Sequence, residues 1–291
     1  MKSEIKRAIL NKYFICICIF GIVISILHSY HKITEYHNII TPMRELSEKG
    51  QNPYSPITNA FTMWIGWDVE NKYAKIIYNF FPIISVLPYC WSYCSDYKSG
   101  YAKKAIHSYG RFNYHASKYL AVFISSGLIM IIPLFTDFLI ILFFVPAIYP
   151  DSVFDIYYGI FSSSFMSHLF YSQPFAYVFV FLLLGFIFCG LFGCIGYAIS
   201  TVVKSKMLSI ITPISIILLT EYIKNKVISD TIIERNNFSP LSFLCPAKSL
   251  NTNWFIIFSE IILLFICTFS LSTLRFRAKH DSQNPRNFYE K

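Results

Sequence analysis

The chain has 291 residues, 55% of them hydrophobic and 19% aromatic, and only 14% charged against the roughly 25% of an ordinary soluble domain. That composition excludes a water-soluble globular protein. Its net charge of +9 gives no ground for nucleic-acid binding, because the cations of a membrane protein must first be assigned to sides of the bilayer.

The amino-terminal segment 1–12, MKSEIKRAILNK, reads as a basic helix lying in the cytoplasm. An apolar run over 13–30 follows and is interrupted only by His28. A basic segment before an apolar run also suits a signal peptide. Here no small-residue cleavage site follows, and His28, Tyr30, His31 and Lys32 come instead, so a retained span is expected. His28, His31 and His37 lack carboxylate or thiolate partners at ligand spacing and read as interfacial histidines.

Residues 31–75 form the largest non-membrane piece and are expected outside, with Trp64, Trp67 and Tyr73 as headgroup-level anchors. A second span over 76–94 carries Pro82 and Pro88. The loop 95–118 then sets five cations (Lys98, Lys103, Lys104, Arg111, Lys118) against one acid, Asp96. Within it, Tyr101, Ala105 and Tyr109 recur at i, i+4, i+8. They share one helical face, with Lys103, Lys104 and His107 mainly opposite. A short amphipathic helix over 100–113, held at the membrane surface by both ends, is expected. Its cations serve either as a platform for a soluble partner or only to set topology and meet anionic lipid.

The third span, 119–148, contains Pro133 and Asp137, and an outer loop over 150–174 has no Lys or Arg. The fourth span, 175–203, shows a stripe of small residues, Gly185, Cys189, Gly193, Gly196 and Ser200, suited to close helix packing in lipid. A fifth span over 208–223 is divided by Pro213 and closed by Glu221. The outer loop 221–253 carries an Asn237-Phe238-Ser239 sequon, and the sixth span, 254–274, holds Glu260.

Six spans place both termini on one side. Sixteen of the 25 Lys and Arg then fall on that side, which the positive-inside rule makes cytoplasmic. Asp137 and Glu260 lie within spans, where a charge costs about 2.5–3.5 kcal/mol, so each should face protein or water. They either line a substrate pathway or are hydrogen-bonded in helix packing. The cysteines do not form a disulfide framework: six of the eight lie in spans, Cys94 sits at an edge and Cys245 in an outer loop. No phosphate loop, zinc-protease helix or nucleophile elbow occurs, so an enzyme is not expected, and neither is a cofactor in this chain.

The stretch PYCWSYCSDYKSGYAKKAI, followed by RFNYHASKYL, resembles the end of the second span, the elbow and the coupling helix of bacterial type-2 ABC exporter permeases. IIPLFTDFLI in the third span is similar too, with Asp137 where that family often has an amide such as Asn. The order of spans extends the resemblance over nearly the whole chain. It implies an all-α, six-helix membrane domain that pairs with a second permease chain, identical or related. A separate ATPase, which would carry the ATP and Mg, would dock on Tyr101, Lys103, Lys104, Ile106 and Arg111. Gly100 would begin the docking helix, and Asp96 would pair with Lys98 or cap the helix start. The substrate expected is a peptide or a lipid-like or drug-like molecule. The competing reading is a non-transporting bacteriocin-immunity or sensor protein in a bacterial cytoplasmic membrane.

Overall fold

The computed structural model describes residues 2–50, 59–68, 71–226, 239–240, 244–246 and 252–281, with backbone alone at 224–226 and 274–281. All regular structure among the described residues is helical. In chain order the helices are α1 (Lys2–Ile9), α2 (Lys12–Glu48), α3 (Ala60–Met63), α4 (Lys72–Val86), α5 (Ser92–Lys98), α6 (Tyr101–Tyr109) and α7 (Arg111–Phe144). A 3-10 turn at Ser152–Phe154 leads into α8 (Asp155–Tyr158). Then come α9 (Ser167–Ser172), α10 (Pro174–Val203), α11 (Lys206–Lys226) and α12 (Trp254–Asp281).

Five of these are long and apolar enough to cross a membrane: α2, α7, α10, the Lys206–Ile223 part of α11 and the Trp254–Thr273 part of α12. The chain is a polytopic helical membrane protein. The expected second span, 76–94, is divided instead. Its α4 ends at Val86, a turn carries Pro88, and α5 restarts at Ser92. The Leu87 amide still donates to the Ile83 carbonyl, and the ladder stops at Pro88, which has no amide hydrogen to continue it.

The first span also differs from expectation. Instead of giving way to a loop at residue 31, α2 continues to Glu48, 37 residues in all from Lys12, roughly 55 Å at the helical rise. No glycine or proline intervenes from 31 to 41, and Lys32–Glu35 and Arg44–Glu48 pair at helical spacing. The loop expected over 95–118 is also shorter. Its helix ends at Tyr109, and Arg111 already belongs to α7. Gly100 and Gly110 have φ of 74° and 79°, a region side-chain-bearing residues rarely adopt, and these two glycines cut α6 from its neighbours.

α10 is the axis of the bundle, with Phe181, Phe188, Phe192 and Tyr197 buried against surrounding helices. It lies very close to α7: a Cβ added to Gly127 or Gly190 would stand 2.8 or 2.9 Å from a carbonyl oxygen of the facing helix. Around this pair stand α2 against α7, and α4, α11 and α12 against α10. The end of the bundle away from α1 and α6 is closed by aromatics. Trp64, expected at headgroup level, is buried in the core against Phe138, and Trp67 stacks on Phe170 with ring centroids 5.8 Å apart.

Candidate functional site

The loop carrying α6 is fastened to the bundle by a buried ionic cluster drawn from four helices. α1 supplies Glu4 and Arg7, α5 supplies Asp96, and α7 supplies Lys118 and Tyr114. Tyr101 of α6 and Tyr89 of the turn after α4 complete it. The Glu4 carboxylate accepts from Arg7 at 2.9 Å, Tyr101 at 3.1 Å, Tyr89 at 3.2 Å and Lys118 at 3.3 Å. Asp96 accepts from Arg7 and Tyr114, both at 3.0 Å, and from Lys118.

Two carboxylates and two cations therefore share one enclosure, and Lys118 is wholly buried at its centre. Three of these charges, on Glu4, Asp96 and Lys118, are removed from water, while Arg7 keeps 44% of its side chain exposed at the edge. The buried ones require this density of donors and acceptors, since an unpaired one would carry a desolvation cost of several kcal/mol. Burial alone would raise the Glu4 carboxyl, but Lys118 and Arg7 outweigh it and hold the group below the ordinary glutamate range. Its stabilising contribution is thus present above that range and lost as pH falls through the lowered value.

Local sequence explains how each group arrives. Asn11 caps α2 through a hydrogen bond from the Tyr13 amide, and its own amide donates to the Pro88 carbonyl at 2.9 Å. That bond ties the α1–α2 joint to the turn before α5. On α1, Glu4 and Arg7 stand at i and i+3, on one face. On α7, Tyr114 and Lys118 stand at i and i+4.

The residues singled out in the loop divide between two roles. Asp96 bonds to Arg7, Tyr114 and Lys118 rather than to Lys98 or the start of α6. Ala102 and Ala105 form the buried side of α6, with Ile106 partly buried beside them. Lys103, Lys104 and Arg111 are exposed. The face defined by Tyr101, Ala105 and Tyr109 is not the buried one, because Tyr101 and Tyr109 remain 38% and 70% exposed. Small alanines admit the closer approach to the bundle, so the tyrosines are left at the edge.

A second buried cluster lies toward the other end. Asp137 of α7 accepts from the His28 ring nitrogen at 2.8 Å, the Ser29 hydroxyl at 2.6 Å and the backbone amide of Ile65 at 2.7 Å. His28, expected at the interface, is wholly buried and also lies 3.6 Å from Asp68, which pairs with Lys32 at 2.8 Å. Burial would raise the Asp68 carboxyl, but His28 and Lys32 hold it well below the usual carboxylate range. The carboxylate partners that sequence spacing denied His28 come from α7 and from the segment 59–68. Three donors account for the burial of Asp137 without a substrate.

Glu260 is half-buried on α12, and one of its carboxyl oxygens is enclosed without a hydrogen-bond partner among the described residues. The small stripe of α10 lies against several neighbours. Gly185 faces Met130, Gly193 faces Ser126 and Val122, and a Cβ on Gly196 would stand 2.7 Å from the Ser209 carbonyl. Cys189 and Ser200 are fully buried beside them. The Cys245 thiol, buried, lies 3.7 Å from the Gly66 carbonyl. Asn237 and Phe238 of the sequon lie outside the described residues.

The chain matches no protein-family model, no curated protein and no solved structure. Its function must be argued from its own geometry. No group of three or more His, Cys, Asp or Glu suited to a metal occurs among the described residues. What the cluster can do is mechanical. It joins α1, α5, α6 and α7 so that a force on α6 is carried by ionic and phenolic contacts into α7, the helix packed most closely on the bundle axis.

Proposed function

We propose that the chain is the membrane-spanning permease subunit of an ATP-driven ABC exporter. The observation that carries the reading is α6. It is a short helix set between two positive-φ glycines, exposing Lys103 and Lys104, and tied through Tyr101 to the buried cluster that grips α7. The resemblance of residues 88–120 to an ABC coupling segment points the same way.

In this reading the chain crosses the membrane six times. At about 1.5 Å per residue, the 15 residues of α4 span roughly 22 Å, short of a 30 Å core. Together with the turn and α5, α4 completes the crossing. Both termini and α6 then face the cytoplasm, where ATP and Mg reside on a separate ATPase that docks on Tyr101, Lys103, Lys104, Ile106 and Arg111. A second permease chain completes the conduit for a peptide or a lipid-like or drug-like substrate. Movement of α6 reaches α7 through Lys118 and reaches α1 through Glu4 and Arg7.

Copurification tests this reading. The detergent-solubilised wild type is expected to retain an ATPase that the triple variant Lys103→Glu/Lys104→Glu/Arg111→Glu loses, with both proteins eluting as the same folded species. If the folded wild type retains none, the α6 cations set topology only and the immunity or sensor reading replaces this one.

A further inference from the structure

A groove opens where α1, α6, α7 and α12 meet, with a volume of about 920 Å³. Its two ends differ in chemistry. Lys2, Tyr101 and Asn113 stand at the mouth, while Leu120, Phe123, Phe265 and Phe269 line the deep end. From residue 113 to 123, α7 advances about 15 Å, half of a hydrocarbon core about 30 Å thick. Polar groups at a helix-end surface and aromatic groups one half-bilayer deeper match the length and polarity of a single membrane lipid.

The charges select the headgroup. Glu4 forms part of the wall, but with Asp96 it is offset by Arg7 and Lys118, so the buried cluster adds no net charge. Lys2 is exposed at the mouth, and Lys6, Lys103 and Lys104 are exposed on the two helices that frame it. Such cations attract anionic headgroups at short range. The exposed Asn113 amide brings a further hydrogen-bond donor to the same place, bordered by the Tyr101 ring, whose hydroxyl donates to Glu4.

We propose that this groove binds one anionic phospholipid from the leaflet on the α1 and α6 side. Its phosphate sits among Lys2, Tyr101 and Asn113, and one acyl chain lies along Leu120 and Phe123 against Phe265 and Phe269. Because Tyr101 and Glu4 belong to both the groove wall and the ionic cluster, a seated lipid braces α6 against α7. The site does not depend on the transport reading, since it needs only the groove and the bilayer.

Native mass spectrometry of the full chain in a neutral maltoside detergent provides the test, with palmitoyl-oleoyl phosphatidylglycerol and phosphatidylcholine as probes. One phosphatidylglycerol is expected to stay bound at concentrations where phosphatidylcholine does not. Lys2→Gln should weaken the anionic lipid about fivefold, the effect of one surface cation, and leave phosphatidylcholine unchanged. Ala116→Trp, which fills the groove, should remove the bound lipid while the thermal midpoint stays that of the wild type. Excess glycerol phosphate should not displace the lipid. Equal binding of the two lipids, retention of phosphatidylglycerol by Ala116→Trp, or displacement by glycerol phosphate would each overturn the proposal. Should Ala116→Trp fail to fold, Lys2→Gln decides, because its side chain is exposed.

Discussion

Replacing Lys118 with methionine is expected to destabilise the protein by about 3–5 kcal/mol, the cost of leaving buried charges without their partner. Lys118 is wholly enclosed and donates to both Glu4 and Asp96. Methionine keeps most of the volume, so the loss reports charge rather than a cavity. Arg7 alone would face two buried carboxylates, and the α1 contact to α7 would weaken with it. Because the net stability of a domain is only about 5–15 kcal/mol, much of the detergent-solubilised protein should appear aggregated by size exclusion. Adding Asp96→Asn to Lys118→Met removes one orphaned charge and should restore part of the loss. A single variant as stable as the wild type would mean that the cluster does not hold α1, α5 and α7 together.

The second large effect is expected at Asp137. Alanine there orphans two buried donors, the His28 ring nitrogen that faces it and the Ile65 amide, and leaves the Ser29 hydroxyl only the Ser25 carbonyl at 3.0 Å. Each unsatisfied donor costs about 1–3 kcal/mol, and the loss falls on the contact between α2, α7 and the segment 59–68. Gly66 of that segment covers the Cys245 thiol. Maleimide modification of Cys245, followed by peptide mass spectrometry, should therefore be roughly tenfold faster or more in Asp137→Ala, since about 1.4 kcal/mol of local opening is already tenfold. Asp137→Asn keeps an acceptor oxygen without the charge and should fall between the two. Unchanged labelling in the alanine variant would remove Asp137 as the anchor of this segment.

Helix content and membrane class were legible because they rest on run length and local periodicity, which do not depend on partners distant in sequence. The ends of α10, found at Pro174 and Val203, agree with the expected 175–203 because Pro174 suits a helix start and Lys204 turns left-handed at its end. The ionic cluster was not legible. Glu4 and Lys118 are separated by 114 positions, and each alone looks like an ordinary charge near a membrane edge. One local signal was present, the spacing of Tyr114 and Lys118 on one face of α7 just before an apolar run.

The same limit explains His28 and Trp64. Their burial depends on the segment 59–68 folding back onto α2 and α7, and no local pattern encodes that return. On α6, periodicity pointed to a helix, and of the shared face of Tyr101, Ala105 and Tyr109 only Ala105 is buried. Close approach to α5 and α7 favours the smaller side chain.

The most direct test of the permease account is the identity of whatever touches α6 in the cell. A photoreactive benzophenone amino acid placed at Lys104, an exposed position clear of the buried cluster, would be irradiated in intact cells and its adduct identified by mass spectrometry. The account predicts a cross-link to a soluble ATPase bearing a phosphate loop, reduced when Lys103 and Arg111 are reversed to glutamate. Adducts to lipid alone, from a protein shown to be folded and in the membrane, would contradict it.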